Sequence, residues 1–95
     1  MVSKKYIKTR KRMKVTFIVD FAKDAEVVEI AGEFNDWQPQ PLRRYKNGVC
    51  KLSLDLEPGR QYQYRYRIDG RWENDWAADA YVPNGLGQDN SVVVC

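Results

Sequence analysis

The feature that most constrains this chain is an alternation of apolar and polar residues with a period of two. Between Gln61 and Ile68 it assigns Tyr62, Tyr64, Tyr66 and Ile68 to one face and Gln61, Gln63, Arg65 and Arg67 to the other. Residues 13–21 alternate in the same way. Successive side chains of a strand point to opposite sides of a sheet, so both segments are predicted to be strands. We expect the tyrosine face to be core, with each hydroxyl reaching a polar partner at the rim of the sheet.

Turn residues divide the rest of the chain into short strands. Asn47-Gly48, Pro58-Gly59 and Asp69-Gly70 are typical hairpin and turn pairs. Pro39 and Pro41 disfavour a helix and a central strand. No window of about a dozen residues has the helical period, and residues 74–89 are expected to be irregular. The spacing predicts an all-β sandwich, with further strands at residues 26–31, 42–45, 49–56, 71–73 and 90–95.

Composition excludes several classes of protein. Ninety-five residues are enough for one domain. No apolar run approaches the ~20 residues of a membrane span, and no secretory signal is recognisable, so the expected location is the cytoplasm. The chain has no histidine, which excludes Ser-His-Asp and Cys-His pairs and His-ligated zinc. Glycine-rich phosphate loops are missing. No metal or cofactor is predicted, and Cys50 is expected to be a buried free thiol.

Positive charge is concentrated at the N-terminus. Seven of the sixteen cations lie between Lys4 and Lys14, and no acid precedes Asp20. Residues 15–95 therefore carry nine cations and thirteen acids, a net charge of −4. We interpret residues 1–12 as a solvated basic lead-in to a domain at residues 13–95. A nucleic-acid partner is disfavoured, because a net-acidic body would not continue a track for phosphates.

Two tryptophans follow turns. Trp37 comes after a short apolar run and the turn residues Asn35 and Asp36, and Trp72 comes just after Asp69-Gly70. A bulky indole is harder to bury at such positions than in the middle of a strand. Flat indoles suit the apolar faces of pyranose rings, with planar hydrogen-bonding side chains at the rim. Arg65, Gln88 and Asn90 are of the right type. Trp76 remains open between core and platform.

Three motifs in order resemble the family 48 carbohydrate-binding modules. They are Ala31-Gly32-Glu33-Phe34-Asn35-Asp36-Trp37, Tyr64-Arg65-Tyr66-Arg67-Ile68-Asp69-Gly70-Arg71-Trp72 and Leu86-Gly87-Gln88-Asp89-Asn90. These modules are the early-set, immunoglobulin-like domains of isoamylases, glycogen branching enzymes and the β subunit of AMP-activated protein kinase. The likeness runs from about Lys14 to Val94, and it implies an immunoglobulin-like β-sandwich.

The resemblance also implies a carbohydrate site. Trp37 and Trp72 occupy the positions of the two tryptophans that stack on glucose rings in the glycogen-binding members. Arg65 stands where the family has a lysine that bonds sugar hydroxyls, so the contact geometry is expected to differ. Leu86 matches a leucine that pushes into the coil of the glucan, and Asn90 matches a hydrogen-bonding asparagine. Gln88 replaces the threonine of the kinase subunit, a departure that bears on fine specificity.

Two functions are consistent with these residues. The first is non-catalytic binding of α-1,4-glucan chains of the glycogen or starch type. The second is an interaction module that docks on a glucan-metabolising glycoside hydrolase. An enzyme is disfavoured because the relatives' hydrolase chemistry resides in a TIM barrel of ~250 residues. Glu73, Asp75 and Asp79 are interpreted as loop caps and solvated acids rather than as a catalytic pair.

Overall fold

The protein consists almost entirely of β-strands, as its alternation predicts. The computed structural model describes residues 1–95. Besides a 3₁₀ turn at Glu33–Asn35, it contains ten strands: β1 (Val2–Ile7), β2 (Arg12–Val19), β3 (Val28–Gly32), β4 (Gln40–Pro41), β5 (Arg43–Arg44), β6 (Cys50–Leu56), β7 (Gln61–Ile68), β8 (Arg71–Glu73), β9 (Ala80–Pro83) and β10 (Asp89–Val94). The structure has no helix with the length and hydropathy that a membrane span requires.

The strands form two antiparallel sheets. The first sheet, sheet A, has four strands in the order β1-β2-β6-β5. The second, sheet B, has six strands, five in the order β4-β3-β7-β10-β9 and β8 pairing with β7 beyond the end of β10. Residues from the inner faces of both sheets form a common core. The prediction of an all-β, immunoglobulin-like sandwich is confirmed.

The core is built from the alternating residues of β2 and β7. Val15, Phe17 and Val19 of β2 are buried, as are Tyr64 and Tyr66 of β7. The rings of Phe17 and Tyr64 meet edge to face with their centroids 5.0 Å apart. Such contacts between aromatic edges and faces add to the free energy of burial. The prediction that the tyrosine face of β7 is core is therefore confirmed, and Cys50 is a buried free thiol as expected.

The polar partner of two core tyrosines is Asp75, one of the acids interpreted as loop caps and solvated acids. Asp75 does cap a turn, since its Oδ1 accepts a hydrogen bond from the Ala77 N–H at 3.0 Å, but the expectation of a solvated acid is wrong, because only 1% of Asp75 is exposed. Its Oδ2 accepts hydrogen bonds from the hydroxyls of Tyr64 at 2.8 Å and Tyr66 at 3.3 Å. Its Oδ1 lies 2.6 Å from the Met1 ammonium, and its N–H donates to Ser91 Oγ. Buried carboxylates require such partners, which sequence spacing does not reveal.

The interpretation of the other two acids holds for Asp79 and is wrong for Glu73. Asp79 is an exposed loop residue that lies 2.6 Å from Lys4 Nζ and accepts a hydrogen bond from the Val94 N–H. Partial burial raises the pKa of Asp79, but these hydrogen bonds and the Lys4 charge outweigh it and hold the pKa below its usual value. Glu73 is a half-buried strand residue of β8. Their roles in the fold are thus ion pairing and strand formation.

Residues 2–7 of the basic N-terminal segment form a strand, which the interpretation as a lead-in missed, although most of these residues are exposed as expected. β1 pairs with β2 from Val2 opposite Phe17 to Ile7 opposite Arg12, so residues 2–7 belong to sheet A. Lysine is common on edge strands because its charge discourages further strand pairing. The density of lysines hid the strand pattern in the sequence. The prediction that residues 74–89 are irregular also missed β9. β4, which contains Pro41, is a two-residue strand at the edge of its sheet, where proline is tolerated.

Burial of the two tyrosines predicts a loss of stability in alkali. Burial is the largest cause that raises the pKa of Tyr64 and of Tyr66 well above the ordinary value, and neighbouring charges that include Asp75 raise it further. Above about pH 10 the unfolded chain releases these protons while the folded chain retains them, so the free energy of unfolding falls. We expect a constant urea midpoint from about pH 7 to 9 and a decline above about pH 10. Ionisation of all six tyrosines, read as phenolate absorbance, in a still-folded protein would contradict this assignment.

Candidate functional site

The segment that carries Trp37 begins where β3 and β7 approach each other closely. Gly32 ends β3 in an extended conformation and lies opposite Tyr64. A Cβ atom at Gly32 would lie 2.6 Å from the Gln63 carbonyl oxygen and 2.8 Å from Tyr64 Cβ. Contacts this short are not tolerated, so glycine is required here by space rather than by backbone dihedrals. The close approach fixes where the chain leaves sheet B.

Hydrogen bonds then fold residues 33–37 into a compact loop. Asn35 Oδ1 accepts from the Gly32 N–H at 2.9 Å, while Asn35 Nδ2 donates to the Ile30 carbonyl at 3.3 Å. Glu33 Oε1 accepts from the Gln63 N–H at 2.6 Å. The Trp37 N–H returns to the Gly32 carbonyl at 2.9 Å. The loop is thereby tied to β3 and to β7, the two strands that border it.

Trp37 is held in an uncommon backbone conformation. Asp36 and Trp37 have φ angles of 54° and 58°, a region that bulky residues rarely adopt and that is often found at functional sites. Phe34 anchors the loop in the core, with its ring centroid 5.3 Å from that of Phe17 and 6.2 Å from that of Tyr62. Trp37 itself is 39% exposed. The loop therefore holds its tryptophan at the surface.

Trp72 lies on the outer face of sheet B. It is paired with Arg67 across β7 and β8, so the two side chains share the face opposite the tyrosines. The Arg67 guanidinium lies over the indole, 5.7 Å from its centroid, which is the geometry of a cation–π contact. Trp72 is 44% exposed. A stacked arginine on one side of the ring restricts the indole and leaves part of its surface open.

Polar side chains lie on the outer face of β7 between these two elements. Arg65 Nη1 donates to Gln88 Oε1 at 2.7 Å, which brings together two of the expected site residues. Asn90 Nδ2 donates to Gln63 Oε1 at 3.0 Å, although Asn90 is almost fully buried. Gln63 and Arg67 were not among the expected site residues. The period of two already places both on the same face as Arg65, and that signal was available in the sequence.

Leu86 projects from the loop between β9 and β10. It is 84% exposed, the most exposed large apolar residue of the chain. Gly85 and Gly87 on either side have φ angles of 80° and 77°, which favour glycine. The Leu86 N–H donates to Asn84 Oδ1 at 2.9 Å, and the loop is closed by a bond from Asn84 N–H to the Gln88 carbonyl. The turn thus presents the leucine to solvent.

The six expected residues fall into two groups. Strand pairing and hydrogen bonds place Trp72, Arg65, Gln88 and Asn90 on or beside the outer face of β7. Trp37 and Leu86 stand on loops, and no hydrogen bond or aromatic pair joins either side chain to the other four. The Trp37 loop contacts β7 at Gln63, whereas Trp72 lies opposite residue 67 of the same strand. These two positions on β7 are about 13 Å apart at ~3.3 Å per residue. Trp76 is 73% exposed and is therefore not a core residue.

This arrangement is suited to binding rather than to covalent chemistry. It offers the exposed indole of Trp72, a guanidinium and two amides on one side of a sheet, with Trp37 and Leu86 exposed on loops. No group of three or more acidic or cysteine residues is placed to hold a metal ion. A β-sandwich with such a surface is consistent with a small carbohydrate-binding module. The model of the family described as the glycogen recognition site of AMP-activated protein kinase matches residues 15–94, and the chain belongs to this family.

Individual relatives agree with this assignment. The chain is 35% identical over 66 residues to the β-1 subunit of 5′-AMP-activated protein kinase from Rattus norvegicus, a match that covers 70% of this chain and 23% of the relative. It is 34% identical over 65 residues to the chloroplastic protein PTST homolog 2 of Arabidopsis thaliana, with coverages of 67% and 12%. The chain thus spans less than a quarter of the length of these relatives.

Solved structures support the fold. A ferric enterobactin esterase from Salmonella typhimurium superposes with a TM-score of 0.61 at 18% identity, covering 87% of this chain and 23% of the esterase. A pullulanase from Paenibacillus barengoltzii gives 0.54 at 20% identity, covering all of this chain and 14% of the pullulanase. At these identities the likeness concerns the fold alone. In both structures the sandwich is a small part of a longer chain.

The contribution of Asn35 to the Trp37 loop can be tested by mutation. Asn35→Ala removes the acceptor for the buried Gly32 N–H, and we expect the free energy of unfolding to fall by about 1–2 kcal/mol. Asn84→Ala is the matched control, because Asn84 also accepts from a backbone N–H but in an exposed loop. We expect the control to lose less than about 0.5 kcal/mol. Urea unfolding measures both, and equal losses would show that Asn35 does not organise the loop.

Proposed function

We propose that this domain binds α-1,4-glucan chains of the glycogen or starch type without catalysis. The observation that carries the proposal is the outer face of β7, where Trp72 packs on Arg67 and Arg65 bonds to Gln88. Membership of a family described as a glycogen recognition site supports the choice of ligand. In this proposal the indoles of Trp37 and Trp72 are the two platforms for glucose rings.

The hydrogen-bonding capacity of the polar side chains suits a sugar. Arg65 uses Nη1 for Gln88, which leaves the Nη2 donors for hydroxyl groups. Gln88 accepts that bond through Oε1, so its amide N–H groups remain free. Asn90 Oδ1 has no partner in the protein, while its Nδ2 orients Gln63. Donors and acceptors are thus both available, as the hydroxyls of a glucan require.

Leu86 supplies an apolar contact of a different kind. Its side chain is held out by a closed, glycine-flanked loop, so little conformational entropy is lost when it meets a ligand. In the proposal it fills the inner, less polar side of a coiled glucan chain. One small site of this type is expected to bind with a Kd between about micromolar and millimolar, or roughly 4 to 8 kcal/mol.

The acidic residues support a non-enzymatic role. A glycoside hydrolase needs two carboxyl groups on either side of the scissile bond. Asp75 is enclosed by the core tyrosines, and Asp79 is engaged by Lys4 and the Val94 N–H. Both carboxylates are therefore committed to the fold. We propose that any glucan chemistry associated with this domain is carried out elsewhere.

The tryptophans give the direct test. We expect Trp37→Ala and Trp72→Ala each to weaken the binding of maltoheptaose at least about tenfold, because a buried tryptophan contact is commonly worth ~2 kcal/mol or more. Both variants are also expected to lose retardation in a native gel that contains glycogen. Fluorescence titration and gel mobility are the measurements, with circular dichroism to show that the fold is retained.

Trp76→Ala is the matched control for this test. Trp76 is more exposed than the other two tryptophans and is not one of the six residues of the proposed site. We expect the control to bind maltoheptaose like the parent protein. If the control loses binding while Trp37→Ala and Trp72→Ala retain it, the platform has been assigned to the wrong surface.

Docking on a glucan-metabolising glycoside hydrolase is the second candidate function. It is favoured by the small share that this sandwich occupies in a pullulanase chain. A pulldown performed before and after digestion of glucan with amylase distinguishes hydrolase docking from glucan binding. Recovery of a hydrolase after digestion supports docking, and recovery only before digestion assigns the association to a shared glucan. A cytoplasmic location stays a prediction, since one relative is described as chloroplastic.

A further inference from the structure

A concave basic surface lies at the hairpin between β5 and β6, at the edge of sheet A. We call it the hairpin cleft; it has a volume of about 560 Å³ and is lined by Arg43, Arg44, Tyr45, Lys46, Asn47 and Lys51. Four of these six residues are cations and none is an acid. The cleft belongs to the sheet opposite the proposed glucan site.

Strand pairing places two cations side by side on the floor of the cleft. Arg43 lies directly opposite Lys51, and Lys51 is also opposite Ile18 of β2, so all three point away from the core. Arg43 Cζ and Lys51 Nζ each lie 5.5 Å from the centroid of the Tyr45 ring. The ring holds both charges by cation–π attraction and remains partly exposed.

The hairpin itself is rigid. The Gly48 N–H donates to the Tyr45 carbonyl at 2.9 Å, and the Val49 N–H donates to Asn47 Oδ1 at 3.1 Å. Arg44 points to the other side of the strand, where its guanidinium donates to the carbonyls of Lys23 and Gly48 at 3.2 and 3.0 Å. These contacts fix the turn against the loop between β2 and β3, so the cleft is formed before any ligand arrives.

The charges of the cleft lack acidic partners. Arg43, Lys46 and Lys51 form no salt bridge, whereas Lys4, Arg10 and Arg60 each pair with a carboxylate. Like charges held close together repel one another, and a bound anion removes that repulsion. Arginine and lysine in combination are the usual protein donors to phosphate oxygens. The chemistry of the cleft therefore indicates a phosphate group.

The cations form a compact group rather than a track. On β2 the residue beside Lys51 is the apolar Ile18, and the next outward pair is Thr16 with Ser53. The next cation on β2, Lys14, lies four residues from Ile18, about 13 Å along the strand at ~3.3 Å per residue, and is paired with Asp55 across β6. A nucleic-acid strand needs charges that continue along its backbone. A single phosphate ester suits this layout better.

We propose that the hairpin cleft binds a phosphate monoester carried by a glucose unit. Arg43, Lys51 and Lys46 contact the phosphate oxygens, while Tyr45 and Asn47 contact the sugar to which the phosphate is attached. The choice of glucose as carrier rests on the proposed function, since a glucan is the ligand proposed for the opposite sheet. The domain would then distinguish phosphorylated from unmodified glucan.

Titration of the whole domain with three small probes tests the proposal. We expect glucose 6-phosphate to shift the backbone amide signals of residues 43–51 in ¹⁵N spectra and to bind several-fold more tightly than inorganic phosphate. Glucose at the same concentration should leave these signals unchanged. The binding should weaken as salt rises, because exposed charges are screened. If inorganic phosphate binds as tightly as glucose 6-phosphate, no sugar is recognised and the proposal is wrong.

Variants locate the site on the molecule. We expect Arg43→Gln and Lys51→Gln each to weaken glucose 6-phosphate binding about tenfold, and Tyr45→Leu to remove the advantage over inorganic phosphate. Lys14→Gln is the matched control, with the same loss of charge on the same face outside the cleft. An equal effect of the control would mean general attraction by a basic surface and would overturn the proposal.

The outcomes separate this proposal from the proposed function. Maltoheptaose binding, followed by tryptophan fluorescence, should be unaffected by Arg43→Gln. A domain that binds glucose 6-phosphate but not maltoheptaose would retain the cleft and lose the glucan site. An oligouridylate that binds through Arg43 and Lys51 more tightly than glucose 6-phosphate would instead identify the cleft as part of a nucleic-acid surface.

Discussion

The buried carboxylate of Asp75 is the interaction on which both sheets depend. It satisfies the hydroxyls of Tyr64 and Tyr66, and its backbone N–H is held by Ser91 of β10. The Met1 ammonium at its other oxygen connects it to the end of sheet A. A tyrosine core is possible only when each hydroxyl finds a partner, because an unpaired buried hydroxyl is costly. One acid from the β8–β9 connection therefore permits two large aromatics in β7.

The core arrangement determines the opposite face of the same strand. Because Tyr64 and Tyr66 point inwards, Gln63, Arg65 and Arg67 must point outwards. A strand fixed by its buried half presents its polar half with little freedom, which is the preorganisation that a binding surface requires. Trp72 is then positioned by the pairing of β8 with β7 and by contact with Arg67, and Gln88 by its hydrogen bond from Arg65. The loop that carries Trp37 is tied to the same strand through Glu33.

The sequence predicts those parts of the structure that depend on local pattern. The boundaries of β7, the tyrosine core and the outer-face residues follow from a period of two, and Gly32 marks the end of β3. Asp75 could not be recognised, because its burial depends on side chains eleven and nine residues before it. β1 was missed because its lysines obscure the alternation, although strand pairing with β2 overrides the polarity of an edge. Long-range contacts decide both cases, and spacing alone does not encode them.

Net charge does not describe how charge is distributed over the surface of a folded domain. A sum over residues 15–95 is negative, but a ligand meets the charges of one face and not the sum. Folding commits the acids Asp75 and Asp79 to structural bonds and gathers Arg43, Lys46 and Lys51 around Tyr45. The two outer faces of a sandwich point in opposite directions, with the sheets ~10 Å apart. A single segment of glucan would not reach both faces. A branched polymer with phosphate esters would be able to bind both faces of one domain at once. Binding at one face would then raise the effective concentration of the polymer at the other face.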